Sequence, residues 1–217
     1  MLKGCIFDMD GLLFDTERLY RDTWIILAEE AGLTPDPAFP KAVCGSSGEH
    51  MLNIIRTYYP EVDPVHFQQE CLQRVDAQLE REVPCKPGLF EILEGMRSCG
   101  VRMAVASSNP VPAIRRNLDN AGITDYFDVI VSGVDVPAGK PAPDVFLAAA
   151  DRLGLEPAAC YVFEDSTNGI KAGHAAGCKV IMIPDLTEPN DDLRRLCTGI
   201  YPTLADAFRA LSAPSAE

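Results

Sequence analysis

The sequence predicts an α/β protein whose parallel sheet is interrupted, just after its first strand, by a helical insertion. Three observations carry this expectation. An apolar run from Lys3 to Phe7 ends in Asp8 and Asp10, which flank Met9. Residues 16 to 83 hold helical periodicity without a strand signal. After Pro84, helical stretches alternate with short apolar runs, the pattern of a parallel sheet with crossover helices. A strand before residue 16 and four or more after residue 84 belong to one sheet. The expected organisation is therefore a core of residues 1–15 and 84–217 with a helical cap of residues 16–83.

Taken in order, Lys3 to Phe7 reads as a buried strand, and Thr16 with Glu17 opens a helix. Tyr20, Trp24, Leu27, Ala28 and Ala31 recur at helical spacing, and Gly32 ends it. Prolines 35, 37 and 40 read as a connection. A second helix is expected over Glu49 to Tyr58, and a third carries Phe67, Cys71, Val75 and Leu79 as one apolar stripe. In the second part, helices are expected over Leu89 to Cys99, Pro110 to Ala121, Asp144 to Leu153 and Thr167 to Ala176. Strands are expected over Val101 to Ala106, Val129 to Val131, Cys160 to Phe163 and Lys179 to Ile183. The pattern weakens after Asp191, with a last helix over Leu204 to Leu211.

Composition narrows the functional classes. With 32 acidic against 19 basic residues and a net charge of −13, the surface repels nucleic-acid backbones and anionic membranes. The 217 residues include no apolar stretch of the roughly 18 residues that cross a bilayer. The first residues lack the apolar length and small-residue cleavage site of a signal peptide, so a cytoplasmic location is expected. Eight scattered cysteines without a C-x-x-C pair read as reduced thiols rather than a disulfide framework or zinc site.

In open α/β sheets, ligands bind beyond the carboxyl ends of the strands. Asp8 and Asp10 follow the first strand, Ser107, Ser108 and Asn109 the second, Lys140 the third, and Glu164 with Asp165 the fourth. In an extended chain, Asp8 and Asp10 would share a face about 7 Å apart, and Gly11 frees the backbone to turn. Asp8, Glu164 and Asp165 offer hard oxygen ligands suited to Mg²⁺. The hydroxyls can donate to phosphate, and Lys140 supplies a positive charge. Each cluster alone has an ordinary structural reading: a solvated turn at Asp8 to Gly11, a capping turn at Ser107 to Pro110, a loop lysine, and a helix N-cap at Glu164 to Ser166. Their joint placement at one sheet edge favours phosphoryl transfer.

Those segments, Asp8-Met9-Asp10-Gly11, Ser107, Lys140 in Gly-Lys-Pro-Ala-Pro-Asp, and Glu164-Asp165, resemble the motifs of the haloacid dehalogenase-like hydrolase superfamily. The resemblance spans nearly the whole chain and is strongest to the branch of β-phosphoglucomutase-like and pseudouridine-5′-phosphatase-like members. It implies a Rossmann-like core with a small helical cap. It further implies that Asp8 is the nucleophile forming an aspartyl phosphate, and that Asp10 is the acid/base. Mg²⁺ would be held by Asp8, Glu164, Asp165 and the backbone carbonyl of Asp10. Ser107, Ser108, Asn109 and Lys140 would hold phosphate. Cap residues Arg18, Tyr20, Ser46, Ser47 and Glu49 are the candidates for substrate choice. Arg18 and Glu49 read equally as solvated helix charges.

The implied activity is Mg²⁺-dependent hydrolysis of a small phosphorylated metabolite, a sugar phosphate or nucleoside monophosphate. A sugar phosphomutase is the alternative, but Tyr20 and Gly48 stand where such mutases resemble one another in carrying a histidine and an arginine. Rivals of another class are a phospho-accepting signalling receiver, whose acidic residues come in a different order, and a non-catalytic metabolite-binding protein. A monomer or weak dimer is expected, with no nucleic-acid or membrane partner.

Overall fold

Strands of two to six residues form a six-stranded, wholly parallel sheet in the computed structural model, which describes residues 3–43, 46 and 48–213. The chain divides into two compact units, Met1–Phe14 with Pro84–Glu217, and Asp15–Val83. In chain order, β1 (Gly4–Phe7) precedes four helices, α1 (Thr16–Glu30), α2 (Phe39–Val43), α3 (Gly48–Tyr58) and α4 (Pro64–Leu79). There follow α5 (Leu89–Ser98), β2 (Arg102–Ser107), α6 (Val111–Asn120), β3 (Val129–Ser132), α7 (Asp144–Arg152) and β4 (Cys160–Glu164). The chain closes with α8 (Thr167–Ala175), β5 (Lys179–Met182), α9 (Asp191–Leu196), β6 (Gly199–Ile200) and α10 (Leu204–Ser212).

The strand order is β3-β2-β1-β4-β5-β6, so β1 lies between β2 and β4 with Phe7 opposite Val105 on one side and Phe163 on the other. All of β1 is buried, which explains its unbroken apolar sequence, because helices cover both faces of a parallel sheet. Ile6, Ala104, Val131 and Val162 pack against Val145, Phe146 and Ala149 of α7 and Ala172 of α8. Residues of opposite parity face the other layer, where Cys5 meets Met96 of α5 and Phe7 stacks on Phe163 with centroids 4.7 Å apart.

The helical unit owes its packing to aromatics. Trp24 stacks on Phe67 at 5.4 Å and meets Phe39 edge-on at 5.5 Å, and Phe39 in turn meets Tyr59 at 4.7 Å. The stripe Phe67, Cys71, Val75 and Leu79 is buried throughout. On α1, Trp24, Leu27 and Ala28 are buried, whereas Ala31 lies past the helix end and is exposed.

Three elements differ from the sequence expectation. The proline-rich connection contains α2: Asp36 accepts the Ala38 N–H at 2.8 Å, Pro40 occupies the first turn, where a missing donor costs nothing, and Phe39 anchors the segment. The weak tail holds α9, capped by Asn190, which accepts the Leu193 N–H at 2.9 Å. It also holds β6, whose two residues are too few to show a period. No helix among the described residues is long and apolar enough to cross a membrane, and the seven described cysteines are free thiols.

Candidate active site

Because the strands are parallel, their carboxyl ends share one edge of the sheet. The chain leaves β1 at Phe7 with Asp8 N–H still donating to the Phe163 carbonyl at 3.0 Å, and then turns. Leu13 and Phe14 N–H groups bond back to Met9 O, and Gly11 takes φ +79°. Met9, Leu12, Leu13 and Phe14 are fully buried, so this turn is anchored from below and Asp8 and Asp10 are carried on a rigid loop. Gly11 has a second reason to be glycine: a Cβ there would run into the Asp165 carboxylate.

Lys140 reaches this centre from the loop between β3 and α7. Its ammonium pairs with Asp8, meets Glu164 Oε1 at 2.7 Å and donates to the Ala106 carbonyl at 3.1 Å. The same ammonium lies over the Phe146 ring, 4.9 Å from its centroid. Glu164, the last residue of β4, is wholly buried and uses both oxygens: Oε1 accepts Lys140, while Oε2 accepts the N–H groups of Asp165 and Ser166 and the Ser166 hydroxyl. Ser166 also caps α8 by accepting the Gly169 N–H at 3.1 Å. Gly169 lies flush against the Glu164 carboxyl, with no room for a Cβ.

Asp8, Glu164 and Asp165 each present a carboxylate oxygen within 4.8 Å of the others, and all three are buried. With all three ionised and Lys140 as their cation, the cluster carries a net charge of −2, which burial makes costly. The strain is expressed on Asp8, whose carboxyl is pushed up to about 8 by burial and by the neighbouring Glu164 and Asp10, against the lowering effect of Lys140. Burial alone would depress Lys140, but Asp8 and Glu164 more than offset it and hold the ammonium above its ordinary range. A hard divalent cation ligated by these oxygens would cancel the excess charge, so the donor set fits Mg²⁺.

Around this centre, Ser107 ends β2 and is buried, Ser108 is exposed and Asn109 half-buried. The Asn109 amide donates to Asp10 Oδ2 at 2.6 Å. Ser107 Oγ accepts the Asn109 N–H at 3.1 Å. Ser132, at the end of β3, was not among the residues singled out from sequence, yet its hydroxyl donates to the Asn109 carbonyl at 2.7 Å. Its signal was available, since Ser132 follows the apolar run Val129 to Val131 as Ser107 follows its own.

The cap candidates belong to the helical unit. Arg18 is exposed on α1 and pairs with Asp15 at 3.1 Å, Tyr20 is half-buried on the same helix, and Glu49 is exposed on α3 and pairs with Arg56 at 2.6 Å. Ser46 donates to the Val43 carbonyl at 2.6 Å, and Ser47 lies outside the described residues.

Fold and site together define an α/β protein with a buried carboxylate–lysine centre at the carboxyl edge of its sheet. The sequence profile of the haloacid dehalogenase-like hydrolases matches residues 5–183. The chain is 34% identical over 189 residues to the "Probable pseudouridine-5′-phosphatase" of Drosophila melanogaster, covering 83% of this chain and 81% of that one. It is 34% identical over 180 residues to the fructose-1-phosphate phosphatase of Escherichia coli K12, covering 82% and 94%. A crystal structure of a hydrolase of the same family from Deinococcus radiodurans, with bound phosphate and sodium, superposes with a TM-score of 0.81 at 28% identity, covering 97% of this chain and 95% of that one. The protein belongs to the haloacid dehalogenase-like hydrolase family.

Proposed function

We propose that the protein is a Mg²⁺-dependent phosphomonoesterase that hydrolyses a small phosphorylated metabolite, a sugar phosphate or a nucleoside monophosphate, through an aspartyl phosphate on Asp8. The observation that carries this reading is the buried contact of Asp8 with Lys140, with Asp10 two residues away on the same anchored turn. The phosphatase names of both relatives support the reaction class, and their different substrates leave sugar and nucleoside esters both in play.

In the first step an Asp8 oxygen attacks phosphorus, forming an O–P bond as the ester P–O bond breaks and the Asp10 carboxyl gives its proton to the departing alkoxide. In the second, a water oxygen attacks the same phosphorus and passes a proton to the Asp10 carboxylate. The Asp8–phosphorus bond breaks, inorganic phosphate leaves, and both aspartates are restored. Lys140 and the Ser107 hydroxyl stabilise charge on the non-bridging oxygens, where preorganised donors act most strongly because water is excluded. Glu164 holds Lys140 in place. Mg²⁺ bound by Asp8, Asp165, Glu164 and the Asp10 carbonyl would supply electrostatic neutralisation of the phosphoryl group.

Water is the favoured acceptor over a second sugar hydroxyl, because Tyr20 and Gly48 bring no cation to grip a second phosphate. The test is a phosphate-release screen over sugar phosphates and nucleoside monophosphates with Asp8→Asn as control. Selective Mg²⁺-dependent turnover that disappears in Asp8→Asn is expected. Full activity in that folded variant would overturn the assignment.

A further inference from the structure

Asn109 stands in a segment whose resemblance suggests phosphate contact, yet its side chain is engaged elsewhere. Its amide Nδ2 donates to Asp10 Oδ2 at 2.6 Å, a hydrogen bond across 99 residues of sequence. The backbone beneath that amide is fixed from both sides. Ser107 Oγ accepts its N–H at 3.1 Å, and the Ser132 hydroxyl donates to its carbonyl at 2.7 Å. Ser132 is itself 1% exposed and held by the Val134 N–H at 3.1 Å. Gly133 N–H donates to Ser107 O at 2.7 Å, and a Cβ on Gly133 would come within 3.2 Å of Ser108 Cα, so the ends of β2 and β3 are pressed together under Asn109. A turn that merely capped α6 would need neither the Ser132 bond nor the contact with Asp10, and α6 receives no side-chain cap.

We infer that Asn109 is a positioning residue for Asp10, orienting its carboxylate for proton exchange, and that Ser132 holds Asn109 in register for this task. The inference rests on Asp10 being the acid/base of the proposed phosphatase. A carboxylate on a half-buried loop can rotate about two side-chain torsions, and proton transfer requires hydrogen-bond reach of the reacting oxygen. The bond from Asn109 selects one rotamer. It draws β3, which is not adjacent to β1, into the control of a residue that follows β1.

The experiment follows release of nitrophenolate and of phosphate from 4-nitrophenyl phosphate and phenyl phosphate with saturating Mg²⁺. Asn109→Ala should lower kcat on the order of 10- to 100-fold, part of the full contribution of a general acid/base. The loss should be larger for phenyl phosphate, whose poorer leaving group needs the proton more, and acid-quenched phosphoenzyme should accumulate with 4-nitrophenyl phosphate. Inhibition by inorganic phosphate should change less than about twofold, and in an Asp10→Ala background the added Asn109→Ala should change first-turnover rates by less than about twofold. Asn109→Asp keeps the size but not the donor and should behave as Asn109→Ala. Equal losses with and without Asp10, together with weakened phosphate inhibition, would make Asn109 a phosphate ligand and overturn the inference. Wild-type rates in Asn109→Asp would overturn it as well. Activity that survives Asp8→Asn would instead defeat the phosphatase reading itself, so the two failures are distinct.

Discussion

Lys140 Nζ lies 2.7 Å from Glu164 Oε1, with the two side chains 7% and 0% exposed. The lysine is thus clamped between Glu164 and Asp8, and its removal leaves the buried Glu164 carboxylate without its cation. Lys140→Met should destabilise the metal-free protein by about 3–5 kcal/mol, the range for breaking a buried pair from one side. Urea unfolding in EDTA measures this. Turnover of 4-nitrophenyl phosphate should fall by at least about 100-fold, the scale for losing one preorganised electrostatic donor.

Asp8 predicts an unusual pH dependence for the metal-free chain. Its carboxyl titrates at about 8 when folded, raised from 3.8 by burial first and by Glu164 and Asp10 next. Between those two values the folded chain holds a proton that the unfolded chain has released, so stability falls as pH rises through this window. Thermal melting in EDTA should therefore drop from pH 5 to pH 8. The stabilisation on adding Mg²⁺ should grow over the same interval, because the ion competes with that proton. Asp8→Asn should flatten the EDTA profile, and a stability that rises with pH in the wild-type protein would contradict the assignment.

Gly169→Ala would place a methyl group inside the Glu164 carboxyl, which hydrogen bonds to Lys140, Asp165 and Ser166 hold fixed. Overpacking of this kind costs about 1–3 kcal/mol. Activity per folded molecule should also fall, because Glu164 can yield only by disturbing its bonds to Lys140, Asp165 or Ser166. Gly177→Ala is the control: nothing lies within 4 Å of its Cβ, so only the positive φ of +78° is penalised, by about 1 kcal/mol, and activity should persist.

Trp24 is the only tryptophan in the chain and belongs to the helical unit, so its emission reports on that unit alone. Phe39→Ala removes a fully buried ring in contact with Trp24, Tyr58 and Tyr59, at a cost of about 3–5 kcal/mol. Fluorescence-detected unfolding should shift to lower denaturant. Far-ultraviolet dichroism, to which the helices of both units contribute, should shift less.

Local patterns made much of the fold legible. The unbroken apolar run before Asp8 is a strand because both its faces are covered, and the four-residue spacing of Phe67, Cys71, Val75 and Leu79 is one buried helical stripe. The polar residues just past each apolar run also stood out, because a strand end is where a parallel sheet offers its backbone and side chains to a ligand. Segments whose order comes from elsewhere stayed hidden. α2 exists because Phe39 is drawn among Trp24, Tyr58 and Tyr59, and β6 because two residues find an open edge beside β5.

The sequence by itself singled out the candidate residues: the Asp8–Asp10 pair on a glycine turn, a serine and an acidic pair at strand ends, and a lysine in the loop after an apolar run. Only the tertiary structure decided which of them meet. Placing β1 between β2 and β4 sets Asp8 beside Glu164, and the loop after β3 carries Lys140 back across 132 positions to pair with Asp8. The same folding turns Asn109 toward Asp10 and puts Ser132 beneath it. Periodicity and composition are properties of neighbouring residues, which a sequence displays. Hydrogen bonds between strand ends depend on strand order and loop path, which are set by the packing of the whole sheet.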